Sequence, residues 1–354
     1  MTTRSNNKTY AEINFKIDHI DPLGQGVFKE GENVYFIPKT LPNETGTARI
    51  LKKKKKIHFC ELIKLDNEAQ ERTNSICPHY EKCTGCHFLH TDYESELNFK
   101  LKTYKRILSK LEATDIKLIK SPERMNYRNR IQLHRNRKKI GFFKYQSRDV
   151  IEVPNCKIIV PELKKELSKV YQERPHFKEH IELYFKDGEV TRTHDLRYAQ
   201  GGFTQVNQAA NKLMLDEVAK IIPDKDLSII DLFAGNGNIS DVLNYKTRMC
   251  IDKYPESYAD FINLDLYAPH ALNELRESEI DLLILDPPRA GFKELNAWVK
   301  KFKPKKVLYI SCHPMTMTRD LGELDSHYKI KQTYLIDLFP STYHFEGMIL
   351  LERD

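Results

Sequence analysis

From about residue 205 the chain repeats one pattern, and it constrains the fold more than any other feature. Six short apolar runs, LSIIDLF, TRMCID, DLLILD, KVLYISC, IKQTYLIDLF and HFEGMILLE, are separated mostly by helical or loop segments. Runs of this length, too short for helices, read as strands buried on both faces. A helical stretch, NQAANKLMLDEVAKII, precedes the first. Strands alternating with helices predict an α/β doubly wound, Rossmann-like sheet. Ligands of such a sheet bind beyond the carboxyl ends of its strands.

Three of these strand ends carry reactive residue types. Asp231-Leu-Phe-Ala-Gly-Asn-Gly-Asn238 follows the first, and its two glycines allow a tight turn close to a ligand. Neither the dinucleotide fingerprint nor the phosphate-binding P-loop is present. Asp286-Pro-Pro-Arg289 follows the third strand as a stiff loop. Ser311-Cys312-His313-Pro314 follows the fourth, which makes Cys312 a candidate nucleophile. A buried filler is the plainer reading of a cysteine there.

The front of the chain differs in charge. Residues 1–200 hold 39 Lys and Arg against 27 Asp and Glu, whereas residues 201–354 hold 18 against 23. A basic front joined to a mildly acidic back suits a polyanion-binding part and a small-molecule catalytic part. Residues 9–65 read as about five short strands punctuated by Gly and Pro, as in a small OB-type barrel. Lys52 to Lys56 form a basic run expected in a loop, where it could contact phosphates or simply be solvated. A helix is expected over 92–112, hairpins over 125–160 and around Asp187-Gly188, and a helix over 161–174.

Seven cysteines, an odd number, argue against a disulfide framework. Cys77-x5-Cys83-x2-Cys86 is too wide for zinc-finger spacing. With Cys156 it makes a set of four thiolates that suits an iron–sulfur cluster. Radical methyltransferases use a C-x3-C-x2-C motif with one open iron, which this spacing does not match. Cys60 and Cys250 lie in apolar strands and are expected in cores. No stretch reaches the ~18 apolar residues of a membrane span, and the first residues show no signal-peptide pattern. A cytoplasmic protein is expected.

Taken together, D-L-F-A-G-N-G-N, D-P-P-R-A-G, S-C-x-P-x-T-x-x-R-D-L and the terminal H-x-E-x-x-x-L-L resemble the RNA 5-methyluridine methyltransferases. The first is similar to motif I of class I S-adenosylmethionine-dependent enzymes. Phe203-Thr-Gln-Val-Asn207 belongs to the same pattern. The G-x-G-V, Y-F-I-P and L-P-N-E segments resemble a TRAM domain. The resemblance implies a TRAM-like RNA-binding barrel over 1–66. A central domain bearing the cluster cysteines follows over 67–200, with a helix at 92–112 that can pack on the catalytic domain. The methyltransferase domain fills 201–354.

It also implies methyl transfer from S-adenosylmethionine to carbon 5 of a uridine in RNA, 23S rRNA in the first place and tRNA as the alternative. Cys312 would add to carbon 6 of the uracil, and Glu346 would later remove the carbon 5 proton. Gln205, Phe233, Gly235, Asn238, Asp252, Asp265 and Asp286 match cofactor-binding positions. Cys77, Cys83, Cys86 and Cys156 would hold a four-iron four-sulfur cluster. A monomer with RNA as partner and no membrane is expected. The chain departs from the pattern twice: only twelve residues separate Asp252 from Asp265, and Asp265 stands where asparagine is usual. A cytosine-5 methyltransferase would share the thiolate chemistry but not D-P-P-R with a terminal Glu. A non-catalytic RNA-binding module would explain the barrel and charge but not the strand-end residues.

Overall fold

The computed structural model describes residues 11–354 except 112, 114, 137–138, 145–146, 197–204 and 254–260. It divides into two compact units, one of residues 1–103 with 341–343 and one of 104–340 with 344–354.

In the first unit, alternating apolar residues make β1 (Glu12–Lys16), β2 (His19–Ile20), β3 (Gln25–Glu30), β4 (Asn33–Pro38), β5 (Thr45–Lys54) and β6 (Ile57–Asn67). They form one sheet in the order β1-β5-β6-β4-β3-β2. Phe15, Ile17, Tyr35, Ile37, Ala48 and Cys60 supply its core. Glu44 is fully buried in the L-P-N-E turn, where its carboxylate accepts from the Leu41 amide at 2.7 Å and pairs with Arg72. Truncating Glu44 would leave the half-buried Arg72 with the Lys39 carbonyl as its remaining acceptor here, so this pair fixes the turn. The lysine run is not a loop: Lys52 to Lys54 end β5, and Lys55 and Lys56 form the turn into β6. All five are exposed. Helix α1 (Tyr93–Leu108) follows, and the boundary between the units falls within it.

The second unit begins with the last turn of α1 and holds two sheets. After β7 (Ile116–Ile119) come β8 (Arg130–Asn136), β9 (Lys139–Phe143), β10 (Val150–Ile151), α2 (Pro161–Glu173), β11 (His180–Lys186) and β12 (Glu189–His194). Strands β8 to β12 form an antiparallel sheet in the order β10-β9-β8-β11-β12. Asp187 and Gly188, both at positive φ, turn β11 into β12, as two-residue hairpins require.

The larger sheet is built from α3 (Gln208–Ile221), β13 (Leu227–Leu232), β14 (Tyr245–Asp252), β15 (Phe261–Asn263), β16 (Leu282–Leu285), α4 (Leu295–Phe302), β17 (Lys306–Ser311), α5 (Pro314–Gly322), β18 (Tyr328–Ile336) and β19 (Glu346–Arg353). Its order is β15-β14-β13-β16-β17-β19-β18-β7. Strands β15 to β17 pair in parallel. β19 enters antiparallel between β17 and β18, with Ser311 opposite Gly347 and Ile336 opposite Glu346. β7 adds an edge strand, parallel to β18, that the sequence pattern did not single out. Ala210, Met214 and Val218 of α3 pack on Ile229, Ile284, Leu308 and Met348 in the core. Cys250 is fully buried there. β15 already pairs with β14 at Phe261, so the connection after Asp252 is short.

Candidate active site

The first strand end makes a tight cradle. Phe233, Gly235 and Gly237 all have positive φ, a backbone that L side chains rarely adopt. The Gly235 amide donates to Asp252 at the end of β14, at 3.0 Å, which joins two neighbouring strand ends. Asn238 exchanges two 3.1 Å bonds with Asn211 of α3. Asp231 lies beneath the turn, accepting from the Ser240 hydroxyl at 2.6 Å, and burial pushes its carboxyl up to about 6.

The other proposed cofactor positions lie at two places. Asp265 pairs with Lys253 at 2.7 Å, which lowers its pKa, and Leu264 donates its amide to the Asp252 carbonyl. Phe233 sits 5.4 Å from the ring of Tyr267 and 5.2 Å from that of Phe292. Gln205 is buried, and its carboxamide oxygen has no hydrogen-bond partner among the described residues. Asn207 caps α3 through the Ala210 amide. Phe203 and Thr204 of the same motif lie outside the described residues.

Asp286, Cys312 and Glu346 meet at the carboxyl end of the sheet. The antiparallel entry of β19 is the reason: it starts where β17 ends, so Glu346 and Cys312 become neighbours across the ladder. Burial pushes the Cys312 thiol up to about 12, with further repulsion from Glu346 and Asp286. Asp286 is raised to about 7, first by burial and then by Asp231. Glu346 is 3% exposed and lies well above the usual carboxylate range for the same two reasons, burial and a neighbouring carboxylate, Asp286. Arg289 opposes all this. Its guanidinium lowers the Cys312 thiol, attracts Glu346 and lies 3.1 Å from His344 Nε2. A cation among three ionisable groups favours thiolate and carboxylate.

The two loops are clamped by α5. Asp320, buried, accepts from the Phe292 amide at 2.6 Å and from the Tyr309 hydroxyl at 2.7 Å. Arg319 donates to Asp320 and to the Ala290 carbonyl. The Thr316 hydroxyl donates to the His313 carbonyl at 2.9 Å and lies 3.3 Å from the Arg289 carbonyl. Gly291 has φ 72°, and a Cβ there would lie 2.4 Å from Asp320. The T-x-x-R-D part of the cysteine motif therefore anchors the D-P-P-R loop rather than meeting a substrate. Sequence reading missed Arg289 and Asp320 as individual actors. Their signal was present, as the arginine of D-P-P-R and the aspartate of R-D-L.

In the first unit, Cys77, Cys83 and Cys86 are partly exposed and in no disulfide. All three act electrostatically on Lys39, whose ammonium is nonetheless lowered by burial. The Gly85 amide donates to the Cys83 sulfur at 3.4 Å. Cys156, also partly exposed and in no disulfide, lies in the second unit before α2. Among the described residues, no group of three or more His, Cys, Asp or Glu side chains is arranged to hold a single metal ion.

Comparison with known proteins puts these residues in context. Residues 270–354 match the model of the tRNA (Uracil-5-)-methyltransferase family. The 23S rRNA (uracil(1939)-C(5))-methyltransferase RlmD of Shewanella sediminis is 28% identical over an alignment of 433 residues. It covers 99% of this chain and 98% of the relative. The protein of the same name from Shewanella woodyi is 28% identical, covering 98% and 97%. The alignments are longer than this chain, so those relatives carry segments it lacks. A Pyrococcus abyssi tRNA (uracil-54, C5)-methyltransferase, solved with S-adenosyl-L-homocysteine, superposes with a TM-score of 0.72 at 20% identity. That match covers 96% of this chain and 100% of the other, and at that identity it speaks for the fold alone. The chain is thus similar to the RNA uracil-C5 methyltransferases and has the α/β methyltransferase fold.

Proposed function

We propose that this protein methylates carbon 5 of a uridine in 23S rRNA, using S-adenosylmethionine and a covalent cysteine–uracil adduct. The observation that carries the reading is the meeting of Cys312, Glu346, Asp286 and Arg289 at one end of the sheet. Full-length similarity to 23S rRNA enzymes favours ribosomal over transfer RNA.

S-adenosylmethionine supplies an electrophilic methyl group on a sulfonium. Gln205, Phe233, Gly235, Asn238, Asp252, Asp265 and Asp286 would hold it. The positive-φ cradle, the carboxylate of Asp252 and the unpartnered oxygen of Gln205 suit a ligand with hydroxyls and an amine. The Cys312 thiolate bonds to carbon 6, and the electrons of the 5,6 double bond move onto the carbonyl at carbon 4 as an enolate. Carbon 5 then takes the methyl, and the sulfonium bond to it breaks. The Glu346 carboxylate removes the carbon 5 proton, the double bond re-forms and the thiolate leaves.

The same reading makes the first unit's sheet a TRAM-like OB barrel over 1–66 with Lys52 to Lys56 on RNA phosphates, followed by a central domain over 67–200 and the methyltransferase domain over 201–354. Cys77, Cys83, Cys86 and Cys156 carry a four-iron four-sulfur cluster. An all-sulfur donor set, a cation beside three of the thiols and an amide hydrogen bond to one suit that group. A four-iron cube also spaces its thiolates more widely than one ion does. The protein works as a cytoplasmic monomer.

The test is a pair of substitutions. With RNA and S-adenosylmethionine, Glu346→Gln should accumulate a denaturant-stable protein–RNA adduct containing the methyl, whereas Cys312→Ala and the double variant should give none. Normal turnover by Glu346→Gln would reject the base assignment. Formation of 5-methyluridine by Cys312→Ala would end the covalent mechanism. Mapping the product in RNA from a deletion strain decides between 23S rRNA and tRNA.

A further inference from the structure

The outer face of the first unit's sheet carries side chains that the catalytic reading leaves unused. Tyr35, Ile37, Ala48 and Cys60 face the core, and successive side chains of a strand alternate between its two faces. Val34 and Phe36 of β4, with Ile57 and Phe59 of β6, therefore point outward. Strand pairing lines them up in two rows across four strands. One row runs Lys29, Val34, Ile57, Lys54, and the next runs Val27, Phe36, Phe59, Lys52. Val27 is buried, whereas Ile57 is 39% exposed. Phe36 and Phe59 are half-buried, with ring centroids 5.8 Å apart and planes 22° apart. Lys29, Lys52 and Lys54 are exposed. The rest of the lysine run lies elsewhere. Lys53 sits opposite His58, which stacks on the core residue Tyr35, Lys55 turns at φ 54°, and Lys56 pairs with Glu32.

We propose that this face is a stacking platform for unpaired RNA: a base lies against the Phe36–Phe59 pair, and Lys29, Lys52 and Lys54 meet the phosphates on either side. This rests on the reading of the unit as RNA-binding and adds which strand form it takes and which rings hold it. The layout chooses the occupant. One row has a lysine at each end and apolar side chains between, and the other ends on a lysine beside two rings. Such a face fits a partner that is flat and apolar in the middle and anionic at its flanks. Single-stranded RNA has that order, since its bases stack on aromatic rings while its phosphates meet cations. A duplex does not, because its bases are stacked on one another inside the helix. Among the described residues Lys29, Lys52 and Lys54 form no ion pair, so their charge is open to a polyanion. Simple shielding of apolar area would not need rings, and the test turns on that difference.

The experiment is fluorescence anisotropy with the full-length protein and a fluorescein-labelled strand of alternating adenylate and cytidylate, which offers no uridine to Cys312. Phe59→Leu keeps the apolar area and removes the ring. It should weaken binding of the single strand about tenfold at fixed salt and leave the salt slope unchanged. Phe59→Tyr should bind as the unsubstituted protein does. Lys52→Gln combined with Lys54→Gln should instead make the slope shallower, by up to ~1.4 for two single-strand phosphates. Binding of the same strand paired with its complement should be insensitive to Phe59→Leu. An adenine replaced by 2-aminopurine should lose fluorescence when the strand binds the unsubstituted protein, a readout that stands if Phe59→Leu folds poorly. Equal single-strand affinity for Phe59→Leu would overturn the proposal and leave the face to a protein partner. An equal loss on the duplex, or no quenching, would overturn it as well. If the unsubstituted protein binds neither form of RNA, the RNA-binding reading itself has failed. If it binds the strand and the Phe59 variants bind it equally, only the platform has failed.

Discussion

Replacing Asp320 by Ala tests whether α5 clamps the D-P-P-R loop. The change removes one carboxylate oxygen that accepts from both the Phe292 amide and the Tyr309 hydroxyl. Phe292 and Tyr309 are fully buried, so neither donor can turn to water. Each orphaned donor costs about 1–3 kcal/mol, which gives about 2–6 kcal/mol for the pair. The Arg319 side chain is 38% exposed, so loss of its pairing adds little. Set against the usual 5–15 kcal/mol of a folded domain, this is a large fraction. Urea unfolding can follow it through Trp298, the sole tryptophan, whose ring lies 6.0 Å from that of Phe292. The midpoint should drop strongly, and kcat should fall because Asp286 and Arg289 ride on the released loop. Tyr309→Phe removes one donor together with its claim on the acceptor and should cost about 1 kcal/mol or less. If Asp320→Ala loses no more than Tyr309→Phe, the clamp argument is wrong.

Other outcomes follow from the same structure. Asp231 titrates near 6 when folded and near 4 when unfolded, so the native state binds more protons between those values. Stability should therefore fall as pH rises from about 4 to 6, by up to about 3 kcal/mol. Thermal melts of Asp231→Asn should show a shallower slope, with Asp286, raised to about 7, supplying part of the remainder, and an unchanged slope would place its origin elsewhere. Neutralising Lys52 to Lys56 should make the salt dependence of RNA binding shallower, by up to ~0.7 in slope for each single-strand phosphate that is no longer neutralised; an unchanged slope would mean the hairpin tip is merely solvated. Protein purified without oxygen should be brown and contain iron and sulfide, and Cys83→Ser should bleach it. Stoichiometric zinc without sulfide would refute the cluster.

The catalytic sheet was legible because its strands are continuous apolar runs and its reactive residues sit at their ends. Strand β7 was not, since four residues, IKLI, carry no period of their own and become a strand by pairing with β18. The lysine run read as a loop because it lacks any apolar alternation, yet backbone pairing carries β5 through Lys54. Asp320 was visible as part of a motif but not as a clamp. Its partners lie 28 and 11 residues away, and only the fold brings them together.

The antiparallel entry of β19 also governs how this family of shapes can vary. The distance between nucleophile and base is written into a hydrogen-bonded ladder, with Ser311 opposite Gly347, not into a loop. The segment 337–345 that leads into it is buried at Asp337, Leu338 and Phe345, and Asp337 donates its amide to the Ile119 carbonyl, so packing rather than a ladder fixes its length. One residue deleted between Gly347 and Leu351 is another matter. Side chains alternate faces along a strand, so the slip must either turn Glu346 to the opposite face or bury the wrong residues beyond it. Length variation in evolution or design should thus be resisted on both sides of Glu346, by packing before it and by strand register after it.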